Sequence, residues 1–333
     1  MKTGYDGSGQ LKLLLTGAAG FIGSNFVRMV AKGELQGVLS IKVLDKLTYA
    51  GVKSNLDSAS NLSSYEFVQG DICDPAIVTE LIRDVDAVIN FAAESHVDRS
   101  ILGAADFVQT NIVGVQVLLD AVKNSGKKIR FLQVSTDEVY GSIKTGSWTE
   151  EFPLRPNSPY SASKAGGELL ASSYNRTHGT DVVITRCSNN YGTHHFPEKL
   201  IPLFITNLIE GKKVPVYGKG ENVRDWLHVD DHCRGIYSVL MNGRSGEVYN
   251  IGGGRELSNN EITSLILEAM DADPSNIEYV EDRKGHDLRY SVDWTKINQD
   301  LGYEPQVNFE IGLRETIAWY QNNETWWKPL KNR

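Results

Sequence analysis

The feature that most constrains this chain is a run of glycines set between an apolar strand and a helix. Leu11–Thr16 reads Leu-Lys-Leu-Leu-Leu-Thr, a short strand. Gly17-Ala-Ala-Gly20-Phe21-Ile22-Gly23 follows, and a helical pattern runs from about Phe21 to Ala31. Glycine permits a tight turn there and lets the backbone approach a diphosphate, while the first N–H groups of the helix stay free for an anion. The spacing is G-x-x-G-x-x-G, so the turn by itself is a weak signal. Two acids strengthen it. Asp45 ends a second strand, Ile41–Asp45, about where a carboxylate reads an adenosine ribose. A carboxylate there would repel a 2′-phosphate, which favours NAD over NADP. Asp71-Ile72 follows a third strand at Tyr65–Val68 and can meet the adenine.

The alternation continues. Asp71 and Asp74-Pro75 mark a turn and a helix start, Ala87–Phe91 reads as a strand, and a long helix is predicted over Ala104–Val122. After the strand Ile129–Ser135 comes a helix with clear ends: Ser158 as N-cap, Pro159 at the first helical position, Gly179 just past the last turn. A strand at Val182–Thr185 closes this half. Strands alternating with helices of this length predict an α/β fold, a Rossmann-type doubly wound parallel sheet. Beyond about Asn190 the elements shorten, with helix patterns near Leu200–Glu210, Val229–Met241, Asn260–Met270 and Phe309–Asn322. No internal repeat or low-complexity linker separates the halves. A smaller, interleaved C-terminal substrate-binding lobe is therefore expected: residues 1–190 bind NAD, with 227–253 returning to them, and residues 191–226 and 254–333 form the lobe.

Composition excludes some classes. The 333 residues carry 34 Lys+Arg against 42 Asp+Glu, a net charge of −8, which disfavours nucleic acid as a partner. It leaves room for a small anionic substrate held by a few local cations. Cys73, Cys187 and Cys233 are too scattered for a disulfide framework or a metal-ligand cluster, so no metal is expected and a reducing cytoplasm is. The first ten residues are polar without an apolar signal core, and no apolar run nears the ~18 residues needed to span a bilayer, so no membrane partner is expected.

Tyr160-Ser-Ala-Ser-Lys164 places a phenol and an ammonium one turn apart on the capped helix. A lysine so placed can lower the phenol pKa and prepare it to take a hydroxyl proton. Tyr49/Lys53 and Tyr140/Lys144 share the spacing but fall in loops. The preceding strand ends in Ser135-Thr136-Asp137-Glu138, which faces the ligand crevice of an open parallel sheet. Two adjacent carboxyls with separated pKa values suit elimination of water, one as base and one as acid. Taken alone, the two acids read better as loop caps than as an acid–base pair.

Together these segments resemble the extended short-chain dehydrogenase/reductase family over nearly the whole chain. Leu44–Gly51, Ala92–Ser100, Ser188–Gly192, Phe196–Pro202, Arg224–Trp226 and Gly285–Tyr290 add to the likeness. Within the family the motif set is similar to that of the dTDP-glucose 4,6-dehydratases, and Thr136-Asp137-Glu138 discriminates. Related epimerases carry small hydroxyl residues in place of the acid pair, and related decarboxylases keep the glutamate without the aspartate. GDP-mannose 4,6-dehydratases are disfavoured by the wider motif set, and a non-catalytic NAD-binding protein by the presence of all five catalytic residues.

The resemblance implies dTDP-glucose as substrate and NAD as a recycled cofactor. It implies Thr136, Asp137, Glu138, Tyr160 and Lys164 as catalytic. Gly17, Gly20, Phe21, Ile22, Gly23, Asp45, Lys46, Thr48, Asp71, Ile72, Ala92, Ala93 and Asn190 would hold NAD beside Tyr160 and Lys164. His96 and Thr136 would flank the sugar, and Asn190, Lys199, Arg224, Arg283 and His286 would surround the diphosphate and nucleoside. Pro215, Tyr217, Asn259 and Tyr290 would complete the pocket. A homodimer is implied as well, built by pairing the long helices into a four-helix bundle.

Overall fold

Strands apolar on both faces line up in parallel and are covered on both sides. The computed structural model describes residues 10–332 apart from Ser63; the polar stretch 1–9 lies outside the described residues. Its main sheet uses β1 (Leu11–Thr16), β2 (Val38–Asp45), β3 (Tyr65–Gln69), β4 (Ala87–Asn90), β5 (Arg130–Thr136) and β6 (Val182–Cys187). All residues of β4, β5 and β6 are buried.

Along β1 the side chains alternate. Leu13 and Leu15 join a core with α1 (Phe21–Ala31), while Leu14 joins the opposite core with α2 (Pro75–Ile82). The remaining helices of this region are α3 (Val97–Leu102), α4 (Ala105–Val108), α5 (Val115–Asn124) and α6 (Pro159–His178). Two shorter sheets follow. In one, β7 (Asn189–Tyr191) pairs in parallel with β9 (Val223–His228), which pairs antiparallel with β11 (Glu256–Ser258). In the other, β8 (Val214–Tyr217) pairs in parallel with β12 (Ile277–Val280).

Between these segments β10 (Val248–Ile251) returns to the main sheet, whose order is β10-β6-β5-β4-β1-β2-β3. The strand expected to close the first half is therefore interior: β10 lies outside β6 and pairs with it in parallel. The chain leaves β1 towards β2 on one side, and β4 flanks β1 on the other. That reversal opens a crevice at the strand C-termini.

Three later helices, α7 (Leu200–Ile209), α8 (Val229–Asn242) and α9 (Asn259–Ala269), precede α10 (Thr295–Leu301) and α11 (Phe309–Asn322). Of these, α8 packs on the main sheet through Cys233, Ile236, Val239 and Leu240. Helices α7, α9 and α11 share a separate core containing Phe204, Ile262, Leu313, Ile317 and Trp327.

One predicted element differs. The helix expected over Ala104–Val122 is three pieces: α4, a π-helical turn at Gln109–Gly114, and α5, which extends to Asn124. Apolar periodicity does not register the extra residue of a π turn. The turn has a tertiary cause. It brings the Asn111 side chain to the loop after β4, where it accepts from Glu94 N and donates to Glu94 O, each at 3.0 Å. Asn111 also donates to Ser163 Oγ on α6 at 2.8 Å.

Candidate active site

The glycine turn opens one end of the crevice. Gly17 has φ +68°, and a Cβ there would lie 2.5 Å from the backbone of Ala92. Gly20 is the N-cap of α1, with no side-chain cap bond and no acid in the first turn. A helix end left in this way suits a diphosphate. Asp45 is buried, and its two oxygens accept from Ala19 N and Leu47 N, each at 2.8 Å. Lys46 pairs with Asp71 at 2.8 Å.

These residues line one cleft of about 300 Å³ with Phe21, Ile22, Gly23, Thr48, Ile72, Ala92, Ala93 and Asn190. Tyr160, Lys164, Thr136, Asp137 and Glu138 line its inner part. A second cleft of similar size shares Ser95, Glu138, Asn190 and Lys199 with the first. His96, Pro215, Tyr217, Arg224, Asn259, Arg283, His286 and Tyr290 line it. The two chambers meet at Glu138.

Helix α6 positions Tyr160 and Lys164. Ser158 caps it in a reciprocal box with Ser161, and Gly179 ends it in the left-handed conformation. Lys164 Nζ donates to Val134 O at 2.7 Å. Burial pulls the Lys164 ammonium down to about 8. The lowering expected from this lysine is opposed by the surroundings of the phenol. Burial, then repulsion from Glu138, hold the phenol well above its ordinary value. The residue pattern records one nearby cation but not the desolvation or the two acids facing the phenol.

Thr136 ends β5 and caps a 3₁₀ turn at Asp137–Tyr140; its hydroxyl donates to Asp137 Oδ1 and accepts from Glu138 N, both at 3.3 Å. Asp137 Oδ2 is buried without a hydrogen-bond partner. Burial, with repulsion from Glu138 and Asp225, raises the Asp137 pKa far above the carboxylate range. Burial raises Glu138 too, but Arg224, Lys199 and Arg283 oppose the shift. Asp137 is thus pushed towards its neutral form among carboxylates, while Glu138 faces a cationic chamber that opposes the same push.

That chamber is assembled from distant segments. Lys199 donates to Ser95 O at 3.1 Å. Arg224 donates to Asp287 O at 3.0 Å, and its guanidinium lies 4.2 Å from the Tyr290 ring centre. Tyr290 donates to Asp287 Oδ2 at 2.6 Å. Arg283 pairs with Asp98 at 2.7 Å, and His286 contacts Asp282 at 2.7 Å. His96 caps α3, and burial followed by Lys199 depresses its pKa to about 4, leaving the ring neutral at pH 7.

Several participants escaped sequence reasoning. Asp98 restrains Arg283 and lies two residues beyond His96. Glu198, beside Lys199, accepts from Tyr49 Oη at 2.8 Å and stands 3.5 Å from His96. Asp225 accepts from Ser188 Oγ at 2.6 Å and from Gly253 N at 3.0 Å. All three lie beside or within recognised motifs, which was the available signal.

The chain matches the family model described as GDP-mannose 4,6 dehydratase over residues 14–316. It is similar to a dTDP-glucose 4,6-dehydratase of Streptomyces niveus, at 55% identity over 97% of this chain and 96% of that one. The DesIV dTDP-glucose 4,6-dehydratase of Streptomyces venezuelae, solved with NAD bound, has TM-score 0.94 at 55% identity, covering 96% of this chain and 100% of that one. A UDP-glucose 4-epimerase of Thermotoga maritima has TM-score 0.86 at 30% identity, covering 94% and 100%. The fold therefore spans dehydratases and epimerases alike, and residue chemistry must separate them.

Proposed function

This chain belongs to the GDP-mannose 4,6 dehydratase family, and we propose that within it the chain converts dTDP-glucose to dTDP-4-keto-6-deoxyglucose and water. It is an NAD-dependent hydro-lyase. The observation that carries the reading is the Asp137/Glu138 pair, where the nucleotide cleft meets the cation-lined chamber. Its support is the full-length likeness to dTDP-glucose 4,6-dehydratases.

The glycine cradle, the uncapped start of α1 and the Asp45 carboxylate fit NAD. When bound, NAD supplies the acceptor of a hydride from sugar C4 and its later donor to C6. For Tyr160 to take the C4 hydroxyl proton, Lys164 and the positive charge of bound NAD would offset the burial and the Glu138 repulsion that raise the phenol, with Thr136 hydrogen-bonded near the resulting ketone. That ketone acidifies C5–H, and Glu138 removes the proton. Asp137, held protonated, gives its proton to the departing C6 hydroxyl, which leaves as water. Glu138 returns a proton to C5, and the proton Tyr160 took passes through solvent to Asp137, which restores both groups. Lys199, Arg224 and Arg283 neutralise the diphosphate, and arginine can do so through two parallel hydrogen bonds.

The chain acts as a homodimer through a four-helix bundle in this reading. Its support is the exposure of apolar side chains on these helices: Leu102 on α3 is 89% exposed, Val108 on α4 45% and Leu169 on α6 59%. A cytoplasmic site rests on three free thiols. Among the described residues no helix is long and apolar enough to cross a membrane.

Purified protein incubated separately with dTDP-glucose, UDP-glucose and GDP-mannose tests the proposal by mass spectrometry. Loss of one water from dTDP-glucose supports it. An unchanged mass with NAD supplied, together with an altered sugar isomer, would make the chain an epimerase.

A further inference from the structure

Beyond α11 the chain crosses from the substrate lobe back to the nucleotide cleft. Trp326 is half-buried and lines that cleft with His194 and Asn55. Its indole Nε1 donates to Asn55 Oδ1 at 2.9 Å, across 271 residues. Asn55 in turn donates to Ala19 O at 3.1 Å, and Val52 N reaches the same oxygen at 3.0 Å. Ala19 sits inside the glycine turn, and its N–H is the group that Asp45 holds at 2.8 Å. One residue of the turn is thus held at both its N–H and its carbonyl, and one anchor is tied to the C-terminal segment.

A second contact runs beside the first. Trp326 packs edge-on against Trp319 of α11, centres 5.1 Å apart, and against His194, centres 5.5 Å apart. The neighbouring His195 stacks on Phe21, the first residue of α1, at 4.1 Å and 11°. Its carbonyl accepts from Tyr320 Oη on α11. Trp327, fully buried in the lobe core, anchors the segment itself. Trp319 and Tyr320 of α11 therefore reach the glycine turn through Trp326 and Asn55, and the first turn of α1 through His195.

We propose that the segment from Trp319 to Trp327 is a cofactor latch, in which Trp326 retains NAD by bridging Asn55 and His194 across the mouth of the cleft. NAD release requires the indole to leave Asn55 and the lobe contact to loosen. The inference rests on the reading of this cleft as the NAD site.

The test is retention rather than turnover. Wild type, Trp326→Phe and Trp326→Ala are purified without added cofactor, and NAD per chain is measured after denaturation. The release rate is then followed on dilution. Trp326→Phe keeps the ring and loses the N–H, so release accelerates about threefold to tenfold, the worth of one hydrogen bond. Trp326→Ala releases NAD faster still. Affinity for dTDP, bound in the other cleft, stays at the wild-type value in both. Release at the wild-type rate in both variants would overturn the latch. An equal loss of dTDP affinity would also overturn it, since that marks general loosening. Wild type that binds no NAD at all would instead overturn the reading of the site.

Discussion

A carboxyl enclosed beside Glu138 and Asp225 binds its proton more tightly than a free one, and Asp137 does so because burial outweighs the opposing Arg224 charge and the hydroxyl that Thr136 offers it. Its folded pKa lies above the unfolded value, so the folded state binds the proton more tightly. Stability then falls as pH rises from the unfolded pKa, about 4, through the raised folded value. Asp137→Asn removes that penalty. Calorimetry should find it more stable than wild type near neutrality, by on the order of 1 kcal/mol, with the gap closing below about pH 4. The same variant forms product about 10²–10⁴-fold more slowly, since an amide cannot protonate the leaving hydroxyl.

Glu138 answers a different question. In heavy water the wild type incorporates deuterium at C5 of the product. Glu138→Gln leaves C4 oxidation intact and halts there, so reduced-cofactor absorbance accumulates and deuterium at C5 is lost. Normal exchange in this variant would assign the C5 proton to another base. Tyr160 and Lys164 are legible as a pair from their spacing. The directions of their pKa values are not, because those follow from burial and from neighbours on other strands.

Helix α6 shows how an element turns local signals into catalytic geometry. Its cap, its proline and its terminal glycine are all short-range, and the structure has each in place. Ser158→Ala removes the capping box two residues before Tyr160. Thermal unfolding should register a loss of about 1 kcal/mol, a fall of roughly 2–4 °C for a protein of this size, with kcat falling more than the KM for dTDP-glucose rises. The opposite split would place the effect in substrate binding. The π turn before α5 was illegible for the complementary reason. Its cause is Asn111 reaching the loop after β4 and Ser163, partners 17 and 52 residues away.

At the scale of the molecule, Leu102, Val108 and Leu169 are exposed apolar side chains on α3, α4 and α6, and α3 and α4 both pack against α6. Leu169→Glu should shift the particle from dimer to monomer in light scattering while leaving the fold intact by circular dichroism. A monomeric wild type would refute the bundle.

The sequence by itself determined the alternation of strands and helices, the glycine turn, the acid after β2 and the Tyr160/Lys164 pair. Each of these is written within a few residues, in side-chain period or in the demands of a single turn. Only the tertiary structure decided what faces what: β10 outside β6, Arg224 over Tyr290, Arg283 against Asp98, and Trp326 on Asn55. Those partners lie far apart in the chain. Their meeting depends on how the lobes pack, and packing also sets the surroundings that divide Asp137 from Glu138.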